Sequence, residues 1–159
     1  VGYAAGNRQL IEAMVKIQEP IVTCVNTVAQ HAAIAALLGP QDCVQQMLQH
    51  YRRRRDLAVR LAEDLDLQVS YPHGAFYMLV DISSQPRNSL DFCQGLLDAE
   101  HVAVAPGSTF GTLCDRYVRI SLCASEEALT EGLTRLARYL YGPSTQRTLV
   151  GAAQTAVAK

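Results

Sequence analysis

Apolar residues recur at helical spacing through residues 41–65: Val44, Met47, Leu48, Tyr51, Ala58, Leu61, Ala62 and Leu65. A helix of roughly 25 residues runs for about 37 Å, which makes it the longest element the sequence encodes. Four consecutive arginines, Arg52, Arg53, Arg54 and Arg55, interrupt the stripe. They step by about 100° each and point in nearly every direction around the axis, so they do not form one patch. Such a basic run has two readings, a nucleic-acid surface or solvated faces and ion pairs. The formal net charge of -1 and the absence of an aromatic platform beside the run favour the second and speak against a nucleic-acid partner.

Two further helices are expected upstream of this rod. Asn7 is placed to cap one over residues 8–18, with Leu10, Ile11, Met14 and Val15 on one side and Pro20 as its stop. Another is expected over residues 23–38, rich in alanine and valine, with Gly39-Pro40 to end it. Residues 1–6 read as the end of a buried strand, an abrupt opening that suggests a cut chain.

Downstream the texture changes to alternating strands and helices. Strands are expected over residues 67–70 and 75–82, the second apolar throughout its middle and so suited to cover on both faces. A helix capped by Asn88 or Ser89 should bury Leu90, Cys93, Leu96 and Leu97, and residues 102–105 read as a buried strand. A last helix capped by Ser125 should bury Leu129, Leu133, Leu136 and Leu140. The Thr/Ala/Gln-rich tail over residues 143–159 has weak periodicity and no structure is assigned to it. The pattern as a whole is α/β or α+β.

The run Tyr117-Val118-Arg119-Ile120-Ser121-Leu122 alternates with period two. Val118, Ile120 and Leu122 share one strand face, while Tyr117, Arg119 and Ser121 share the other. A guanidinium is a planar fork of donors that matches a carboxylate or phosphate, so Arg119 is either an anion-binding post or a structural ion pair on a solvated face.

The remaining signals are weaker. The chain of 159 residues has no apolar run long enough to span a bilayer and no basic-then-apolar leader, so no membrane is expected and the default location is cytoplasmic. Cys24, Cys43, Cys93, Cys114 and Cys123 are odd in number and lack Cys-x-x-Cys spacing, and they read as small buried apolar residues. His31, His50, His73 and His101 lack metal-ligand spacing, so no metal is expected; His73, beside Gly74, borders either a cleft or a surface turn. Gly107-Ser108 could present backbone amides to an anion or form only a turn.

In order along the chain, Val1-Gly2-Tyr3-Ala4-Ala5-Gly6, Gly74-Ala75-Phe76-Tyr77, Val102-Ala103-Val104-Ala105-Pro106-Gly107-Ser108-Thr109-Phe110-Gly111 and the Arg119 strand resemble class I aminotransferases, within the class I/II group of the fold type I pyridoxal phosphate superfamily. The likeness covers roughly residues 1–140. It implies a mostly antiparallel small sheet flanked by helices with a long linking helix, the C-terminal small domain of such an enzyme. It further implies that Arg119 grips the α-carboxylate of an amino acid or 2-oxo acid substrate. Phe76 matches an aromatic near the substrate, or is plain core. Residues 25–33 match a stretch approaching the interface of a homodimer, with Asn26 and Thr27 as the contacts, or they simply pack.

The same resemblance implies pyridoxal 5'-phosphate held on a lysine that would precede residue 1. Lys16, on an amphipathic helix, and Lys159, at the end of the chain, do not match that lysine. The expectation is therefore a C-terminal fragment of an aminotransferase, inactive alone and not binding the cofactor by itself. Residues 1–40 would be a remnant of the large cofactor domain with interface helices, 41–142 the small domain and 143–159 a tail. The alternatives are a fragment of a pyridoxal phosphate-dependent carbon-sulfur lyase and a non-enzymatic carboxylate-binding or dimerisation module.

Overall fold

The computed structural model describes residues 1–142; the tail expected over residues 143–159 lies outside them. The elements are α1 (Arg8–Val22), α2 (Thr27–Leu38), α3 (Asp42–Asp64), β1 (Val69–Ser70), β2 (Tyr77–Asp81), α4 (Ser89–Glu100), β3 (Ala105–Pro106), β4 (Tyr117–Ser121) and α5 (Glu126–Tyr141), with 3₁₀ turns at Gly107–Phe110 and Thr112–Cys114. They form two compact units, Val1–Gln45 and the chain from Gln46 onward, and the division falls inside α3.

In the first unit the Asn7 side chain accepts from Gln9 N–H at 2.8 Å and starts α1. The helix passes through Pro20 rather than stopping before it, because the ladder resumes at once: Thr23 N–H donates to Glu19 C=O at 2.9 Å. Thr23, at φ 62, cannot continue a helix, and α2 begins only after Asn26, whose side chain accepts from Ala29 N–H at 3.2 Å. Residues 1–6 are exposed and form no strand. Every strand of the sheet comes from residue 69 onward, so they have no ladder to join.

The second unit holds one antiparallel sheet in the order β1-β2-β4-β3. Its apolar face carries Met78, Val80, Val118 and Ile120, which pack with Ala58, Ala62 and Leu65 near the end of α3, Phe92 and Leu96 of α4, and Leu129, Leu133, Leu136 and Leu140 of α5. The fold is thus mixed α/β, a small antiparallel sheet flanked by helices. The expectation that β2 is covered on both faces is not met: Met78 and Val80 are buried while Tyr77 is exposed and Leu79 only half-buried. The helices of this unit all pack from one side, which leaves the opposite face of the sheet to Tyr77, Leu79 and Arg119.

Three strands are shorter than the sequence suggests: β1 covers only Val69–Ser70, β2 only Tyr77–Asp81 and β3 only Ala105–Pro106. Residues 102–104 carry the chain from the α4 cap His101, at φ 57, across to the sheet, so β3 pairs only at Ala105 and Pro106. The buried side of α4 is also turned from the expected one. Ser89, Phe92, Cys93 and Leu96 are buried and Leu90 and Leu97 are exposed, because the polar Ser89 belongs inside with hydrogen-bond partners of its own. The α4–α5 pair is pinned at one end where Glu100 accepts from Arg138 Nε at 2.9 Å and also from Arg138 Nη2, while Arg135 Nη1 donates to Glu100 C=O at 3.0 Å.

A candidate carboxylate-binding site

Arg119 stands in the middle of β4, on an inner strand of the sheet. Its direct cross-strand neighbours are Leu79 on β2 and Ala105 on β3. Tyr77 pairs with Ser121, which makes it the diagonal neighbour of Arg119 on the same face, close enough for two long side chains to meet. The Arg119 guanidinium carbon lies 4.0 Å from the Tyr77 ring centroid. Ala105 ends at Cβ, and over this short residue Phe110 reaches in from its 3₁₀ turn to place its ring centroid 4.2 Å from the same carbon. Both separations are within cation–π range.

Among the described residues no carboxylate pairs with Arg119; the ion pairs there join Arg8 to Glu12, Arg55 to Asp56, Arg135 to Glu131 and Arg138 to Glu100. The structural ion pair that the sequence left open is therefore absent from this region. Instead two rings lie against the guanidinium, and Arg119 helps line an open pocket of about 240 Å³ with Tyr77, Ala103, Val104, Ala105 and Ser121. A second cavity, about 220 Å³, reaches between β4 and α5, where Val102, Leu129, Leu133 and Leu136 line it and no titratable group does.

Phe76 is 38% exposed, so it is not plain core. It packs on Tyr77 with centroids 4.5 Å apart and stacks on Tyr51 of α3 at 5.9 Å. A row of rings, Tyr51, Phe76 and Tyr77, thus leads to Arg119, and Phe110 closes it. Sequence reading singled out the two ends of the relationship, Arg119 and Phe76, and missed Tyr77 and Phe110, although both stand in the motifs quoted for the resemblance. No signal along the chain joins them to Arg119, since the contact depends on the β2–β4 register and on the fold of the Phe110 turn.

The Pro106-Gly107-Ser108 segment works as packing. A Cβ on Gly107 would collide with the carbonyl oxygens of Cys114 and Tyr117. Gly111, at φ 121, supplies the backbone geometry that joins the two 3₁₀ turns. The Ser108 N–H donates to Ser89 Oγ at 3.1 Å and is not turned to an anion. Ser89 Oγ in turn donates to Asp115 Oδ1 at 2.8 Å, and Ser108 Oγ lies 3.0 Å away. These bonds tie the turn that bears Phe110 to the start of α4.

Asn26 and Thr27 stand at the start of α2 in the first unit, where the Asn26 side chain caps the helix. His73 is exposed and set edge-on to Tyr71 at 5.1 Å. Among the described residues no three His, Cys, Asp or Glu side chains come together to hold a metal, and no helix is long and apolar enough to cross a membrane. The cysteines correct the expectation of burial: only Cys93 is buried, Cys114 is half-buried, and Cys24, Cys43 and Cys123 are exposed. Cys123 follows β4 in a turn, its Sγ 3.6 Å from Tyr51 Oη.

The whole of this arrangement falls within a region that matches a known class of proteins. Residues 1–136 match the family described as aminotransferase class I and II, and the chain belongs to that family. It is 38% identical over 148 residues to an aspartate aminotransferase of Rhizobium meliloti (strain 1021), with 86% of this chain and 36% of the relative covered. It is 37% identical over 135 residues to an LL-diaminopimelate aminotransferase of Desulforudis audaxviator (strain MP104C), covering 85% and 34%. The crystal structure of an aromatic aminotransferase from Pyrococcus horikoshii OT3 superposes with a TM-score of 0.81 at 36% identity, over 89% of this chain and 38% of that one. The chain therefore spans little more than a third of the length of these relatives. None of the three is a lyase.

The family depends on pyridoxal phosphate, and the described residues do not fit its attachment. Lys16 is exposed on α1, a helix with no buried residue, and Lys159 lies outside the described region. Imine formation needs an amine whose pKa is lowered by burial or by a neighbouring cation, and no described lysine has that setting.

Proposed function

We propose that this chain supplies the substrate-carboxylate grip of an aminotransferase that moves an amino group between an amino acid and a 2-oxo acid. The observation that carries the reading is the Arg119 guanidinium, free of any carboxylate among the described residues and in contact with the rings of Tyr77 and Phe110 beside an open pocket. A fixed fork of N–H donors binds a carboxylate bidentately and orients the molecule that bears it. Arg119 binds and orients and transfers no proton, since a guanidinium stays charged throughout the working pH range. Phe76, packed on Tyr77, forms the apolar wall of the same site.

On this reading residues 41–142 are the small domain with its linking helix, residues 1–40 belong with the cofactor domain, and pyridoxal 5'-phosphate is not bound by this chain alone. The whole protein is a cytoplasmic homodimer. Free thiols on all five cysteines support the reducing location. The dimer is supported by α2, which is apolar on most sides and yet buries no residue, with Val28 76%, Leu37 79% and Leu38 84% exposed. Asn26 and Thr27, at the head of that helix, are the contacts this reading assigns to the interface.

Calorimetric titration of the chain with glutamate and with 2-oxoglutarate tests the central claim. Saturable binding that Arg119→Ala abolishes and Arg119→Lys weakens is the expected result; equal binding by Arg119→Ala overturns it.

A further inference from the structure

We propose that Phe110 is a positioning residue for the carboxylate grip, a role that rests on the reading of Arg119 given above. A strand-borne arginine beside a small neighbour has several side-chain rotamers open to it, and a ligand that needs one of them loses affinity in proportion to the others. Tyr77 supplies a wall from the sheet itself, 4.0 Å from the guanidinium carbon. Phe110 comes from outside the sheet, at 4.2 Å. Tyr77 thus approaches the guanidinium from β2 and Phe110 from its 3₁₀ turn, and two rings on one guanidinium restrict the rotamers open to it. With two rings against it and no carboxylate paired to it among the described residues, the guanidinium keeps N–H donors for a ligand, and that fork of donors is what a carboxylate binds.

Phe110 is placed by devices separate from Arg119. Gly107 is buried against the carbonyls of Cys114 and Tyr117, Gly111 carries φ 121, and Ser108 is tied to Ser89 and through it to Asp115. Phe110, 46% exposed at the end of a firmly anchored turn, is not one of the buried residues of the core. Its ring meets the Arg119 guanidinium.

The test uses the 159-residue chain with nitrogen-15 in its arginines, as wild type, Phe110→Leu, Phe110→Tyr and Arg119→Lys. Two quantities are read: the rate of guanidinium rotation at Arg119 in the free chain, from exchange between its two Nη signals, and the dissociation constant for pyruvate, the smallest 2-oxo acid. Loss of a cation–π face and of side-chain order predicts that Phe110→Leu speeds the rotation several-fold and weakens pyruvate roughly three- to tenfold. Phe110→Tyr keeps both near wild type because it keeps the ring. Wild-type rotation and affinity in Phe110→Leu, with pyruvate weakened by Arg119→Lys, overturn the role of Phe110 and leave the carboxylate grip standing. Equal losses in Phe110→Leu and Phe110→Tyr also overturn it, since a clamp made by a ring survives that exchange. Unchanged affinity in Arg119→Lys, or no pyruvate binding by the wild type, overturns the grip and this proposal with it.

Discussion

Asp115 and Ser89 lie 26 positions apart and are joined by two hydrogen bonds to one oxygen: Oδ1 of Asp115 accepts from Ser89 N–H at 3.1 Å and from Ser89 Oγ at 2.8 Å. The first residue of α4 is thereby fixed to the loop before β4, and the Ser108 N–H is bonded to the same hydroxyl. Ser89→Ala removes the hydroxyl and leaves Ser108 N–H and one bond of Asp115 unmade. A loss of about 1–3 kcal/mol is expected from urea denaturation, together with a weaker hold on the Phe110 turn. Stability equal to wild type would show that water replaces the hydroxyl without cost.

Acid should weaken the same joint. The Ser89 bonds hold the Asp115 carboxyl below its ordinary range, and the Arg138 guanidinium beside Glu100 does the same for that carboxyl. A carboxyl with a depressed folded-state pKa contributes stability that is fully present above its unfolded pKa and is lost as pH falls through the folded value. Thermal midpoints should therefore hold steady near neutrality and fall below about pH 4. In Glu100→Gln the acid-dependent drop should be smaller than in wild type, and an identical drop would remove Glu100 from the explanation.

Gly107→Ala is expected to cost about 1–3 kcal/mol, because the added methyl meets two backbone carbonyls that cannot swing aside as a side chain would. The Gly107–Phe110 turn must shift to relieve the clash, so the Arg119 signals in a nitrogen-15 spectrum should move as well. Unmoved Arg119 signals would show that the turn and the clamp are independent.

Phe92 is fully buried and meets Tyr139 edge-on with centroids 5.2 Å apart. Phe92→Ala should lose about 3–5 kcal/mol in denaturant unfolding, enough to unfold a marginal domain. A loss under about 1 kcal/mol would mean that α4 and α5 close over the gap.

Alkylation should distinguish the thiols. Burial pushes Cys93 up to about 11, while hydrogen bonds from Ser121 and Tyr51 lower the pKa of the exposed Cys123. Iodoacetamide at mildly alkaline pH, read by peptide mass spectrometry, should label Cys123 well before Cys93. Incubation with pyridoxal phosphate and borohydride should leave no stoichiometric label on Lys16, and finding one would overturn the reading that this chain does not bind the cofactor alone.

The sequence by itself determined what depends on neighbours along the chain. The long helix, the caps at Asn7 and Ser125, the alternation that buries Val118, Ile120 and Leu122, and the inner face of α5 follow from local pattern, which survives any arrangement of the elements, whereas the choice of Asn88 over Ser89 as the α4 cap did not. Arg119 stood out in the sequence because a charged residue in an alternating strand has only a few reasons to be there, an anion post or an ion pair among them. Tertiary structure decided the rest. Burial of Ser89 in place of Leu90 depends on Asp115 and Ser108, remote in sequence. The open side of β2 depends on the helices of its unit packing against one face, which no run of apolar residues discloses. The clamp on Arg119 depends on a cross-strand diagonal and on a turn folded over Ala105. Contacts of that kind are made through space by residues whose local patterns carry no trace of each other, so only the folded chain brings Tyr77, Phe110 and Arg119 together.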